Sequence, residues 1–69
     1  MDAQKVGAIL VELRGDRTQQ EIANATGVTV SAIGMYERGE RIPRDEVKIR
    51  LAGFFGKSVG EIFFASNDT

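Results

Sequence analysis

Between Gln19 and Gly39 the chain carries Ile22, Ala23, Gly27, Val28, Ile33, Tyr36 and Glu37 at the spacing that locks two short helices across a tight turn. The first helix offers Ile22 to a core and presents a small residue, Ala23, where a second helix must pass close by. Gly27 supplies the turn. A positive φ costs glycine little, so the chain can leave one helix and enter another at a steep angle within about three or four residues. Val28, Ile33 and Tyr36 return the second helix to the same core. Val30, Ser31, Gly34 and Met35 are thereby predicted to face outward.

Helical punctuation continues on both sides. Val6, Ile9, Leu10 and Leu13 form one apolar stripe of an amphipathic helix over about 3–14. Gly15 and Asp16 end it. Thr18 and Glu21 have the S/T-x-x-E spacing of a capping box, which starts a second helix at Gln19; it stops near Thr26, ahead of Gly27. Thr29 is the expected N-cap of the third helix, which Gly39 closes. Beyond Arg41, Ile42 and Pro43, the acids Asp45 and Glu46 fall in the first turn of a fourth helix, where they complement the helix dipole. Val47, Leu51, Phe54 and Phe55 set that helix on the core, and Gly56 terminates it. Ser58 and Glu61 repeat the capping-box spacing, so a fifth short helix should hold Val59, Ile62, Phe63 and Phe64. Residues 65–69 are polar and expected to fray. No strand pattern, linker or internal repeat interrupts this order. The expected architecture is all-α, a compact bundle of about five short helices in one domain over residues 1–69.

Composition narrows the function. In 69 residues there is no cysteine and no histidine, so a disulfide framework, a thiolate metal site and the usual general base are all missing. Ten scattered acids in so short a chain make no arguable catalytic cleft. Neither an enzyme nor a metal, cofactor or small-molecule site is expected. The apolar run in residues 1–14 is too brief and too interrupted by Lys5, Glu12 and Arg14 for a signal peptide, and no later segment approaches a membrane span. A cytoplasmic protein is expected.

Two helices joined this way are the layout of a DNA-binding helix-turn-helix, over about 18–38. One helix holds the phosphate backbone while the other presents side chains to base edges in the major groove. Gln19 suits the first task, because free N–H groups and the positive dipole end at a helix start attract phosphate. On the reading face, Val30 and Met35 can touch only a thymine methyl, and Ser31 bonds either class of base. Thr29 can cap its helix, touch a phosphate or meet a thymine methyl. Gly34 would let the helix lie closer to the backbone. Direct readout should accordingly be modest, leaving much to DNA shape and paired half-sites. The formal net charge of −1 argues mildly against nucleic acid, yet Arg38, Arg41, Arg44, Lys48 and Arg50 gather just after the reading helix. They form either a phosphate strip or a solvated mixed-charge face, diluted by Glu40, Asp45 and Glu46.

Phe54, Phe55, Phe63 and Phe64 crowd the C-terminal part of the chain. Adjacent phenylalanines point in different directions on a helix, and a thin domain cannot easily bury both. The surplus points either to a self-complementary dimer surface with Ile62, Phe63 and Phe64 as candidates, or to a fifth helix that wraps the core.

From Thr18 onward, TQQEIANATGV, SAIGMYERGERIPR and LAGFFGKSVGEIF resemble the phage repressor and Cro-like helix-turn-helix family, the XRE family. The resemblance implies a lambda repressor-like DNA-binding domain in a bacterial or phage transcription regulator that binds operators as a dimer. It implies backbone contacts for Thr18, Gln19, Arg38, Arg41 and Arg44, and base-edge contacts at Val30, Ser31 and Met35. It also implies that Glu37 points inward and pairs with Arg14. The chain departs from the family where Val30 and Met35 replace polar or basic residues, where Thr26 replaces an apolar plug of the turn, and where Lys48 takes an apolar place. The loop of residues 15–17 is also shorter than usual.

The expected function is sequence-specific binding of double-stranded DNA by a homodimer, most simply as a repressor. The rival is a protein-binding module, antitoxin- or antirepressor-like, that keeps the fold and meets its partner through Val30, Met35 or the phenylalanines.

Overall fold

Side chains just ahead of the helices decide where most of them begin. The computed structural model describes residues 1–64 and, among them, runs α1 (Ala3–Arg14), α2 (Gln19–Thr26), α3 (Val30–Glu37), α4 (Asp45–Phe55) and α5 (Val59–Phe63). Asp2 was not singled out in the sequence, yet its carboxylate accepts from the N–H groups of Gln4 and Lys5 and starts α1. Hydroxyls of Thr18 and Thr29 accept from the N–H groups of Glu21 and Ala32 and start α2 and α3. Ser58 and Glu61 complete a reciprocal capping box, with the Glu61 carboxylate accepting the Ser58 N–H at 2.8 Å. That N–H also holds the Glu61 carboxyl below its usual range. At Thr18 only the hydroxyl half of the box forms. α4 has no side-chain cap, and Asp45 and Glu46 in its first turn meet the dipole instead.

One core joins the helices. Val6 and Leu10 of α1, Ile22 and Ala23 of α2, Ile33 and Tyr36 of α3, Val47, Leu51 and Ala52 of α4, and Ile62 and Phe63 of α5 are all buried in it. Burial of each larger side chain contributes about 1.5–3 kcal/mol before conformational entropy is counted. Ile62 is 1% exposed and Phe63 0%, so the fifth helix uses both to wrap the core. The expectation that they face a second copy is corrected on this ground, and of the three dimer candidates only Phe64 stays exposed. Phe54 and Phe55 are half-buried, stack edge to face at 5.1 Å and lie beneath the Arg17 guanidinium, so they leave little bare apolar surface.

The two polar departures inside the core are satisfied locally. Thr26 donates its hydroxyl to the Ile22 carbonyl at 2.7 Å. Lys48 buries its stem and carries its ammonium out to Asp45 at 3.4 Å, with the Phe64 ring 5.5 Å away.

α1 and α3 approach most closely at a glycine. A Cβ on Gly7 would stand 2.5 Å from the Glu37 carbonyl oxygen and 2.7 Å from that of Tyr36, both of them backbone atoms. Only hydrogen fits there. Gly53 in α4 has nothing within 4 Å of its would-be Cβ. Gly53→Ala should therefore raise stability by up to about 1 kcal/mol through helix propensity. Gly7→Ala should lower it by about 1–3 kcal/mol through overpacking, despite the same propensity gain. Urea denaturation of the two variants checks this, and equal midpoint shifts would contradict the packing.

Candidate nucleic-acid interface

α2 and α3 cross at the turn that Gly27 makes with φ 73°, its N–H bonded to the Ala23 carbonyl at 2.9 Å. Val28 tucks against the core, and Thr29 restarts the chain as a helix. The far end of α3 is closed by Gly39, which has φ 74° and stands against Gln4 of α1. There the Gly39 N–H reaches the Tyr36 carbonyl and the Glu40 N–H reaches that of Met35, which satisfies two orphan carbonyls.

A carboxylate fixes this pair of helices to α1. Glu37, with its side chain 7% exposed, accepts from Arg14 Nε at 2.7 Å and Nη2 at 3.2 Å, and from Gln19 Nε2 at 2.8 Å. Arg14 donates its remaining guanidinium nitrogen to the Arg17 carbonyl at 2.8 Å. Its proton is held more tightly than usual, chiefly because of the bond to Glu37. The inward pairing implied for Glu37 is present, and a further donor has joined it. Gln19, expected at a phosphate, has its amide engaged with Glu37. Thr18 is exposed, but its hydroxyl holds the Glu21 N–H.

On the outer face of α3 the side chains are less bare than the spacing predicted. Thr29 and Ser31 are exposed. Val30 and Met35 are half-buried, and Val30 packs against the core. Gly34 is buried, because the Arg38 guanidinium lies across it with Nη1 3.0 Å from where a Cβ would stand. The gap left by the missing side chain is thus filled by an arginine from the next turn. Glu40 grips Arg38 through Nε at 2.9 Å and Nη2 at 3.2 Å. The pairing moves the Glu40 carboxyl below its ordinary range and raises the Arg38 guanidinium.

Arg41 and Arg44 stand where the chain leaves α3, and Arg50 reaches back from α4 to within 3.9 Å of the Gly27 Cβ position. With Gly27, Thr29 and Ala32 they line an open groove of about 220 Å³, which Glu46 also borders. None of the three arginines forms an ion pair among the described residues. Arg50 was counted in the sequence only as part of a basic cluster. Its cue was helical phase, since it lies one turn beyond Glu46 and Val47 on α4.

Two helices crossed at a glycine turn, the second presenting its outer face beside a groove of unpaired arginines, define a helix-turn-helix DNA-binding domain. The helix-turn-helix family model matches residues 10–62, which run from within α1 to within α5. No curated protein and no solved structure matches the chain. The chain belongs to the phage repressor and Cro-like (XRE) helix-turn-helix family, whose members are DNA-binding transcription regulators.

Because Glu37 is acceptor to both neighbouring helices, its loss leaves Arg14 Nε and Nη2 and the Gln19 amide without that acceptor in a mostly buried site. Glu37→Ala should cost about 2–4 kcal/mol of stability, more than a surface ion pair, which is worth about 0–1 kcal/mol. Arg38→Ala, which breaks the exposed pair with Glu40, should be close to neutral. Thermal unfolding of both checks the contrast, and equal losses would refute it.

Proposed function

We propose that this chain is a sequence-specific transcription regulator, most simply a repressor, that acts from the cytoplasm as one domain and seats α3 in the major groove. The observation that carries this reading is the arginine groove beside the start of α3. Arg41, Arg44 and Arg50 offer unpaired cations to one phosphate strand, while the N-terminus of α2 at Thr18 and Gln19 offers N–H groups to the other. Thr29, Ser31, Val30 and Met35 then meet base edges, the last two through thymine methyls.

The reading includes a homodimer on a two-fold symmetric operator, with half-sites about 34–36 Å apart. An exposed apolar patch supports it. Ile49 is 63% exposed and Phe64 41%, and with Val59 and the Lys48 stem they border a shallow apolar depression on the α4 and α5 side of the molecule. Ile49 takes the place that the sequence reading gave to Ile62 and Phe63. The same patch supports the second reading, in which an antitoxin- or antirepressor-like module meets a different protein there.

Affinity for a selected duplex, followed against salt, tests the DNA reading. Removing a phosphate contact by Arg44→Ala or Arg50→Ala should weaken binding to every sequence and flatten the log–log salt slope by about 0.9 each. Unchanged slopes in both variants would remove the groove from the interface. Sedimentation tests the dimer. Ile49→Glu should give monomers where the wild type is dimeric, and a wild type that is monomeric both free and on DNA would refute the pairing.

A further inference from the structure

We infer that Arg38 determines base specificity, reading a guanine edge with the free end of a guanidinium that Glu40 holds from the side. This rests on the DNA-binding reading above. Arg38 stands four residues after Gly34 and eight after Val30, on one stripe of α3. Lacking a side chain, Gly34 lets the guanidinium rest against that stripe, where a Cβ would meet Nη1 at 3.0 Å. Glu40 takes the edge formed by Nε and Nη2. The opposite edge, Nη1 with the second N–H of Nη2, has no partner among the described residues.

Two parallel donors at that spacing match O6 and N7 of guanine, the bidentate contact that Val30, Met35 and Ser31 cannot supply. Glu40 is itself well placed to act as a buttress, since its own N–H closes α3 at the Met35 carbonyl at 2.9 Å. Its backbone therefore moves with the helix. Holding the long arginine side chain in advance lowers the ordering cost on binding. The carboxylate also cancels the charge that would draw Arg38 to a phosphate and would itself be repelled there, whereas directional bonding to a neutral base edge is kept. A paired arginine on the reading stripe thus favours base over backbone, in contrast to the unpaired Arg41, Arg44 and Arg50.

The test is site selection from a random duplex pool with the wild type, Arg38→Ala, Arg38→Lys and Glu40→Gln, then affinities for the wild-type winner and its single-base variants. The wild type should require guanine at one position of each half-site. Both Arg38 variants should lose about tenfold or more of the discrimination there, with preferences elsewhere retained, because lysine has no fork. Glu40→Gln should relax the same position. If Arg38→Ala weakens all sequences alike and flattens the salt slope, Arg38 is a phosphate contact and the inference fails. Tighter binding of every sequence by Glu40→Gln would overturn it too, by making Glu40 a mask. A wild type that enriches no sequence would sink the DNA-binding reading, and this inference with it.

Discussion

The Glu37 carboxylate is the point on which the arrangement of the first three helices turns. It sits in the last turn of α3, nearly out of solvent, and receives donors from the end of α1 and the start of α2. A buried acid without partners would be costly, so the angle between α2 and α3 is tied to the satisfaction of one group. Gly7 adds a steric limit from the other side, because α1 can lie on the Tyr36 and Glu37 carbonyls only where no Cβ intervenes. Together these contacts hold α3 from behind and leave its outer face to a ligand.

Electrostatics divides that outer surface in two. Arg41, Arg44 and Arg50 carry uncompensated charge along the groove, which suits the long-range, salt-sensitive attraction of a phosphate strand. Arg38 is compensated by Glu40 and laid on the helix, which suits short-range, directional bonding. A formal net charge of −1 is therefore a poor guide to this chain, since Asp2 and Glu61 cap helices, Glu37 pairs with Arg14 and Glu40 with Arg38, and Glu46 is the one acid among the described residues that line the groove.

Much of the fold was legible because it is written in local signals. Thr29, Ser58, Gly27 and Gly56 start or stop helices through their own hydroxyls or backbone freedom, so spacing alone located those ends. Contacts between elements were harder to read. The role of Gly7 depends on which carbonyls α1 happens to cross, and that of Gln19 on a carboxylate eighteen residues away. Gly34 was read as bare backbone because nothing in its own neighbourhood says that Arg38 folds back over it. The phenylalanine surplus points to a dimer surface only in part, for a similar reason: Arg17 covers Phe54 and Phe55, and α5 turns Ile62 and Phe63 inward, while Phe64 and, on the neighbouring helix, Ile49 stay exposed.

The most direct test is to titrate isotope-labelled protein with a selected duplex and map the backbone amide shifts. The largest changes should fall on the start of α2 at Gln19, on Thr29, Ser31 and Met35, and on Arg38, Arg44 and Arg50, with the core unmoved. Changes confined to Ile49, Val59 and Phe64, or none with any duplex, would contradict it and make the protein-facing reading the correct one.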